Sequence, residues 1–292
     1  MLPNLLLAGA PKCGTTSVYE WLVSHPEVSG GVEKEVFYLV DETDYKYRKA
    51  RNWKDHQEQG YDKLFPKRNK WVVDGTTITM YQKSALEYSE RHLPKVIFFI
   101  REPAIRVYSN FKYHKNNRSR LSRDFSFFNY IESLENGNDF AGNTQLKNAV
   151  QHSFYVDYVK KFDKKVGSEN IKIVVFEEFI RSPREGMKDI SRWLEIDEEY
   201  YDEYEFVKKN ESIEVKSIAL NRLKESISPY LNDKLKYNWM RSLYRRLNNK
   251  VAARFDSVGD EVAIDRLRSH FSGKNQELSE TYGIDISFWN EE

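Results

Sequence analysis

The feature that most constrains the fold is a short glycine-containing loop that directly follows an apolar run near the start of the chain. Residues 5–8 read Leu-Leu-Leu-Ala, and residues 9–17 continue as Gly-Ala-Pro-Lys-Cys-Gly-Thr-Thr-Ser. The run predicts a buried strand, and the apolar spacing from Thr15 to Ser24 predicts a helix, with Thr15 or Thr16 as the capping hydroxyl. A strand, a glycine loop and a helix N-terminus in succession can surround an anion with backbone amides, as in nucleotide phosphate loops.

The position of the loop lysine separates this loop from the one that binds Mg-ATP. In the nucleoside-triphosphate version the lysine directly follows the second glycine. Here Thr15 follows Gly14, and the only lysine of the loop is Lys12. A lysine displaced towards the strand meets a terminal anionic group from another side, so the loop favours a phosphate-bearing donor other than Mg-ATP. A plain strand-to-helix turn is the alternative interpretation.

The order of the remaining patterns predicts an α/β fold, a single domain with a central parallel sheet flanked by helices. Strand patterns lie at residues 71–75, 95–100 and 171–176, and helical patterns lie at residues 81–92, 104–111, 154–162 and 183–194. Such alternation places ligands at the carboxyl ends of the strands, where the loop, Asp74 and Arg101 all fall. Strand patterns become scarce from about residue 196, so we expect a sheet core at about 1–195 and a helical C-terminal part at about 196–292.

Composition and charge exclude several classes of protein. The 292 residues include 46 Lys and Arg against 45 Asp and Glu, a formal net charge of +1 that gives no support to nucleic-acid binding or general membrane attraction. A single cysteine, Cys13, excludes an internal disulfide and a cysteine-based zinc site. No apolar stretch approaches the ~20 residues that span a bilayer, and the first strand begins too early for a signal peptide. We therefore expect a cytoplasmic protein.

A second candidate phosphate site follows the strand pattern at residues 95–100. Arg101 comes directly after that pattern, and Ser109 lies in the helix predicted after Pro103. Both side chains can reach one phosphate at the carboxyl edge of the sheet. Together with the first loop, they predict two separated phosphate sites. Pairing of Arg101 with the adjacent Glu102 is the alternative interpretation.

These two motifs resemble those of sulfotransferases that use 3′-phosphoadenosine-5′-phosphosulfate (PAPS). Residues 11–17 resemble the loop that binds the 5′-phosphosulfate, and residues 100–109 resemble the motif that binds the 3′-phosphate. Weaker resemblance extends over residues 34–38, 175–183 and 278–289. The resemblance implies a P-loop-like sulfotransferase fold that covers most of the chain.

The same resemblance assigns roles to single residues. It implies that the 5′-phosphosulfate is bound by Lys12, Gly14, Thr15, Thr16 and Ser17. Arg101 and Ser109 would hold the 3′-phosphate. Lys216 and Ser217 resemble the later basic segment that closes over that phosphate. The alternative is that Lys216 is an ordinary solvated lysine.

The candidate general base is Glu35, because segment 34–38 resembles the one in which heparan sulfate 3-O-sulfotransferases and their bacterial carbohydrate-type relatives carry a glutamate. A carboxylate at this place can take the proton of the acceptor hydroxyl if it lies within hydrogen-bond reach. Surface pairing with Lys34 is the alternative for Glu35. His114 is the alternative base, since the small-molecule sulfotransferases use a histidine near this helix.

Three positions depart from the heparan sulfate enzymes. Phe37, Gly75 and Pro11 stand where those enzymes carry a histidine, a lysine and an arginine. Because those residues handle an anionic polysaccharide, we expect an acceptor that is less anionic than heparan sulfate or is held differently.

The resemblance thus implies an enzyme that transfers the sulfuryl group of PAPS to a hydroxyl, leaving adenosine 3′,5′-bisphosphate (PAP). The expected acceptor is a carbohydrate, a glycan or a glycolipid, and no metal is expected. Asp74 is the one candidate carboxylate for Mg²⁺, which would favour a P-loop small-molecule kinase instead. A non-catalytic module that binds sulfated or phosphorylated sugars is the other alternative. The sequence leaves the acceptor's identity and the oligomeric state open.

Overall fold

A computed structural model describes residues 2–118, 120–122, 124–206, 213–215, 249–251 and 258–289. Lys216 and Ser217, the loosest of the expected nucleotide contacts, lie outside the described residues. Among the residues described, no helix combines the length and the apolar character that a bilayer crossing requires.

A five-stranded parallel sheet forms the centre of the fold. Its strands are β1 (Leu5–Gly9), β2 (Val28–Gly30), β3 (Trp71–Asp74), β4 (Lys95–Ile100) and β5 (Ile171–Val175), in the spatial order β2-β3-β1-β4-β5. Leu5 of β1 is aligned with Val73 on one side and with Lys95 on the other. Because β1 is the middle strand and is buried along its whole length, its apolar run is almost uninterrupted.

Helices flank this sheet. They are α1 (Thr15–Ser24), α2 (Trp53–Asp62, interrupted at Gln57), α3 (Lys83–His92), α4 (Pro103–Lys112), α5 (Phe127–Glu135), α6 (Thr144–Lys147), α7 (Tyr155–Val166), α8 (Phe176–Phe179), α9 (Pro183–Leu194) and α10 (Val258–Tyr282). A 3₁₀ segment, Thr77–Tyr81, precedes α3, and a π-helical turn, Tyr113–Asn117, extends α4.

Helix α4 is fixed firmly, which matters because it follows Arg101 and carries Ser109. Its inner face, including Phe111, packs with residues of α5 and α10 in a second hydrophobic cluster. The buried guanidinium of Arg106 donates hydrogen bonds to Ser153 Oγ at 2.8 Å and to the carbonyl of Ala149. Apolar packing and this buried hydrogen-bond group together hold α4 at the end of β4.

The predicted fold class is confirmed, and several elements lie where their patterns place them. Helix α1 covers residues 15–24 and strand β4 covers residues 95–100, as predicted. The short edge strand β2 was not predicted, and neither was an antiparallel pair, β6 (Ile213–Val215) with β7 (Asn249–Val251), in the part expected to be helical. The predicted hydroxyl cap of α1 is wrong, because Gly14 occupies the N-cap position with no side-chain hydrogen bond.

Candidate functional site

The glycine loop turns sharply between β1 and α1. Lys12 has φ 76° and Gly14 has φ 72°, both in the left-handed region that favours glycine. Since Gly14 brings no capping side chain, the first amides of α1 are left to be satisfied by something other than a cap. Thr15, Thr16 and Ser17 occupy the first three positions of the helix. This arrangement has the chemistry of an anion site, with amides and hydroxyls at the positive end of a helix.

Lys12 supplies the loop with a cation in an unfavourable environment. Its ammonium lies 4.1 Å from the centre of the Tyr113 ring. Burial lowers the pKa of Lys12 to about 8, and the positive charge of Arg101 is the second cause. The two cations from separate motifs therefore repel each other across the edge of the sheet, and a ligand with two anionic groups would relieve that repulsion.

Arg101 lies at the end of β4, as predicted. Its guanidinium carbon is 5.0 Å from the centre of the Phe176 ring, and Tyr155 donates a hydrogen bond to its carbonyl at 2.8 Å. The Arg101 Nε lies 3.7 Å from Glu177 Oε1, and this buried nitrogen makes no hydrogen bond among the described residues. The Arg101 side chain is still about 25% exposed, so its terminal nitrogens can meet an incoming phosphate.

Glu102 does not form the ion pair with Arg101 that was the alternative interpretation. The Glu102 carboxylate accepts hydrogen bonds from the amides of Ala104 at 3.1 Å and Ile105 at 2.7 Å, and so caps α4. Ser109 lies half-buried near the end of the same helix. Helix α4 thus connects the two residues that the sequence assigns to the 3′-phosphate.

Glu177 and Trp289 also belong to this region, although the sequence motifs assign neither residue a role. Glu177 Oε1 accepts a hydrogen bond from the Glu102 amide at 3.1 Å, and Oε2 accepts one from the Trp289 indole at 3.0 Å. Burial raises the pKa of Glu177. The carboxylate that pairs with Arg101 is therefore held on two sides, one of them by the C-terminal segment. No sequence pattern signals this contact, because 112 positions separate Glu177 from Trp289.

Glu35 lies on the segment that follows β2 and is about 33% exposed. Its Oε1 accepts hydrogen bonds from Thr77 Oγ1 at 2.9 Å and from Lys34 Nζ at 3.3 Å. Lys34 also donates to the carbonyl of Gly75 at 3.2 Å. The ion pair with Lys34 is therefore present, and the hydroxyl of Thr77 additionally fixes the carboxylate at the end of β3. The negative charge of Glu35 also acts to raise the pKa of Lys12. Glu35 is therefore within electrostatic range of the glycine loop.

His114 is placed poorly for the role of alternative base. Its side chain is 1% exposed in the π-helical turn. Burial lowers the pKa of His114 to about 3, with the positive charge of Arg120 as the second cause. The imidazole is therefore neutral at physiological pH, and its basicity is too low to favour proton transfer from a hydroxyl.

The carboxylate of Asp74 has a structural role. Its Oδ2 accepts a 2.5 Å hydrogen bond from the Tyr61 hydroxyl, and its Oδ1 accepts one from the Thr76 amide at 2.8 Å. Burial raises the pKa of Asp74, which disfavours the charged form that a metal requires. Within the described ranges, no three His, Cys, Asp or Glu side chains are grouped so as to hold a metal ion. The donor set at this edge therefore fits an anionic ligand better than a cation.

Comparison with known proteins agrees with this chemistry. The family model described as "Sulfotransferase domain" matches residues 2–266. The chain is 22% identical over 209 residues to human "Bifunctional heparan sulfate N-deacetylase/N-sulfotransferase 2", covering 67% of this chain and 22% of that protein. It is 26% identical over 144 residues to the human protein 3 of the same name, covering 45% of this chain and 15% of that one. The chain therefore spans less than a quarter of the length of these relatives.

A solved structure shows the same fold. The sulfotransferase from Alicyclobacillus acidocaldarius superimposes with a TM-score of 0.67 at 17% identity, and the match covers 100% of both chains. At this identity the likeness establishes the architecture, and the chemistry must be argued from the residues described above.

Proposed function

This chain belongs to the sulfotransferase domain family, and from that premise we propose that it transfers the sulfuryl group of PAPS to a hydroxyl of an acceptor. The observation that carries the proposal is the convergence of Lys12 and Arg101 from two separate motifs. Their mutual repulsion contributes to the lowered pKa of Lys12. PAPS carries anionic groups at both its 5′ and 3′ ends, so one molecule can neutralise both cations.

In this proposal the residues of the glycine loop act on the 5′ end of the donor. Lys12, the first amides of α1 and the side chains of Thr15, Thr16 and Ser17 surround the phosphosulfate. Arg101 and Ser109 hold the 3′-phosphate, and Lys216 with Ser217 remain candidates for a further contact there. Sulfuryl transfer depends mainly on in-line positioning and on electrostatic stabilisation of the departing oxygen.

Glu35 is the proposed general base. It accepts the proton of the acceptor hydroxyl while that oxygen forms a bond to sulfur and the bond from sulfur to the bridging phosphate oxygen breaks. Lys12 and the loop amides stabilise the negative charge that grows on the departing PAP. The hydrogen bond from Thr77 keeps Glu35 oriented, and its partial exposure leaves room for an acceptor to approach.

The acceptor is proposed to be a carbohydrate, a glycan or a glycolipid. Support comes from the curated relatives, whose names specify heparan sulfate. It also comes from the position of the proposed base, which lies on a partly exposed segment at the carboxyl edge of the sheet. A large acceptor could reach a base in this position without entering a closed chamber.

The test is turnover of ³⁵S-labelled PAPS with a panel of glycans and glycolipids. We expect label in the acceptor and an equal amount of PAP, and Lys12→Ala is expected to remove both products. PAP should raise the melting temperature, because a ligand at about 100 times its dissociation constant adds about 2.7 kcal/mol of stability. Stabilisation by Mg-ATP and not by PAP would instead support the kinase alternative, and PAP binding without turnover on any acceptor would support a non-catalytic module.

A further inference from the structure

The structure contains a cavity of about 470 Å³ that neither the motifs nor the mechanism above uses. Its polar lining comes from Tyr45, Arg120 and Asn143. Leu121, Phe140 and Leu146 form its apolar wall. The volume is within the range of pockets that bind small ligands, about 300–1,000 Å³.

Asn143, one of the lining residues, carries a buried donor that has no acceptor among the described residues. Asn143 is 3% exposed, and its Oδ1 accepts hydrogen bonds from the amides of Gln145 at 3.1 Å and Leu146 at 3.3 Å. Those two donors fix the orientation of the amide, so the other atom is the Nδ2 donor. This buried Nδ2 makes no hydrogen bond within the described part of the chain. An unsatisfied buried donor destabilises the free protein, and an oxygen atom of a ligand would satisfy it.

Two cations stand close to the same cavity. The Arg120 guanidinium carbon lies 5.4 Å from the centre of the Tyr45 ring, and Lys46 Nζ lies 5.2 Å from it. Neither side chain forms an ion pair with any residue that the structure describes. Asp44, two positions before Lys46, instead accepts hydrogen bonds from the Lys46 amide at 2.8 Å and from the hydroxyl of Thr144 at 2.7 Å. Both cations therefore lie beside the Tyr45 ring, and no carboxylate among the described residues is bound to either.

Lys46 connects the segment of the proposed base with the cavity, because its Nζ lies 5.1 Å from the centre of the Phe37 ring and 5.2 Å from that of Tyr45, which lines the cavity. Burial lowers the pKa of Lys46, and the positive charges of Arg118 and Arg120 lower it further, whereas the carboxylates of Glu35 and Asp44 act to raise it. Lys46 is thus within electrostatic range of Glu35 and of Arg120, the cation that lines the cavity. A molecule whose hydroxyl meets Glu35 could therefore extend past Lys46 into the cavity.

We infer that this cavity binds an oxyanion, a carboxylate or a sulfate, carried by the acceptor next to a ring that packs on the apolar wall. The inference rests on the proposed function and names the acceptor as an anionic one. Arg120 offers the planar fork that matches a carboxylate or sulfate, and Asn143 Nδ2 adds a neutral donor. The absence of basic residues at positions 11, 37 and 75 is then explained by anion recognition from a different set of side chains.

The test measures acceptor binding to protein saturated with PAP, so that it does not depend on turnover. Calorimetry compares para-nitrophenyl β-D-glucuronide with para-nitrophenyl β-D-glucoside and with the O-sulfated glucoside. We expect at least one of the two anionic sugars to bind about 10-fold to about 100-fold more tightly than the neutral one, as for hydrogen bonds to charged groups. The two anionic arms distinguish a carboxylate site from a sulfate site.

Two variants test the residues, and a third serves as the control. Arg120→Gln removes the charge. Asn143→Asp keeps the cap of α6 but replaces the donor with an anionic oxygen. Each is expected to abolish the preference for the anionic sugar. Arg192→Gln, the control, makes the same charge change on α9. The end of this helix contacts Trp71 at the start of β3, at the opposite end of that strand from the site. The control should leave the preference intact.

The outcomes separate this inference from the proposed function. PAP affinity is measured first, without sugar, and a protein that does not bind PAP overturns the proposed function. If PAP binds and the anionic sugars bind no better than the glucoside, including the case in which none binds, the inference is overturned. A preference that survives both Arg120→Gln and Asn143→Asp also overturns it.

Discussion

The ring of Phe176 lies directly against Gly14, so closely that a Cβ added to the glycine would come within 2.6 Å of Cε2 of the ring. The same ring lies 5.0 Å from the guanidinium carbon of Arg101. Phe176 therefore packs against both proposed phosphate motifs. This aromatic side chain thus lies between the glycine loop and the end of β4.

Gly14→Ala should destabilise the protein and prevent donor binding. The new Cβ would add an overpacking penalty of about 1–3 kcal/mol to the cost of a left-handed conformation. Gly137→Ala is the matched control, because Gly137 has φ 78° but nothing within 4 Å of an added Cβ. Urea denaturation and PAP calorimetry on both variants measure the difference. Equal losses of stability would show that Phe176 does not constrain the loop.

Affinity for PAP should fall as the pH rises above about 8. The lowered pKa of Lys12 makes the free protein lose its loop cation there, and an anion binds the protonated form. Below pH 8 the group is already charged, so it adds no further pH dependence. Calorimetry between pH 7 and 9.5 should show affinity decreasing by up to about tenfold per pH unit above the pKa, together with proton uptake on binding. Lys12→Met should bind weakly and lose this pH dependence, and an unchanged wild-type affinity across the range would contradict the account.

Glu35→Gln should lower kcat about 10²- to 10⁴-fold, the range for loss of general acid–base catalysis. Its affinity for PAP should stay within a few-fold of wild type, since the carboxylate acts on the acceptor. Glu33→Gln is the control, because Glu33 lies two positions earlier and pairs with Arg48 and Arg51 on the surface. Thr77→Val, which removes the hydrogen bond that orients Glu35, should lower kcat less. Full activity in Glu35→Gln would rule out this residue as the base.

Arg101→Ala should weaken PAP binding by about 10-fold to about 100-fold through loss of a charge-assisted contact. Adenosine 5′-monophosphate, which lacks the 3′-phosphate, should bind wild type and variant with nearly equal affinity. This comparison separates a local contact from general damage to the site. A loss of equal size for both nucleotides would mean that Arg101 does not bind the 3′-phosphate.

His114 should remain neutral over the whole pH range in which the protein is folded and active. Its pKa is lowered to about 3 by burial, so its ring signals in NMR spectra should not shift between pH 5 and 8. The signals are assigned by their disappearance in His114→Gln. A titration near neutral pH would restore His114 as a candidate base.

Much of the fold could be predicted from sequence because its buried elements carry strong local patterns. Strand β4 and helix α1 are long enough for apolar periodicity to define their ends. Strand β2 has only three residues, Val-Ser-Gly, and so gives no usable pattern. The cap of α1 was predicted wrongly because a glycine with positive φ took the place of a hydroxyl, and that choice depends on the loop as a whole.

The site was predictable only in part. Lys12 and Arg101 follow strands directly, so parallel topology alone brings them to one edge. Arg101 is supported by Phe176 and Glu177, and Glu177 is supported by Trp289. These contacts depend on tertiary packing between distant segments. The unsatisfied amide of Asn143 depends on burial and on which hydrogen bonds are already made, which no spacing of residues encodes.

The most direct test of the account is a crystal structure of the protein with PAP bound. The account predicts a single nucleotide whose 5′-phosphate contacts Lys12 Nζ and the first amides of α1, with the 3′-phosphate on Arg101 and Ser109. A nucleotide bound elsewhere, or one whose 3′-phosphate lies away from Arg101, would contradict it.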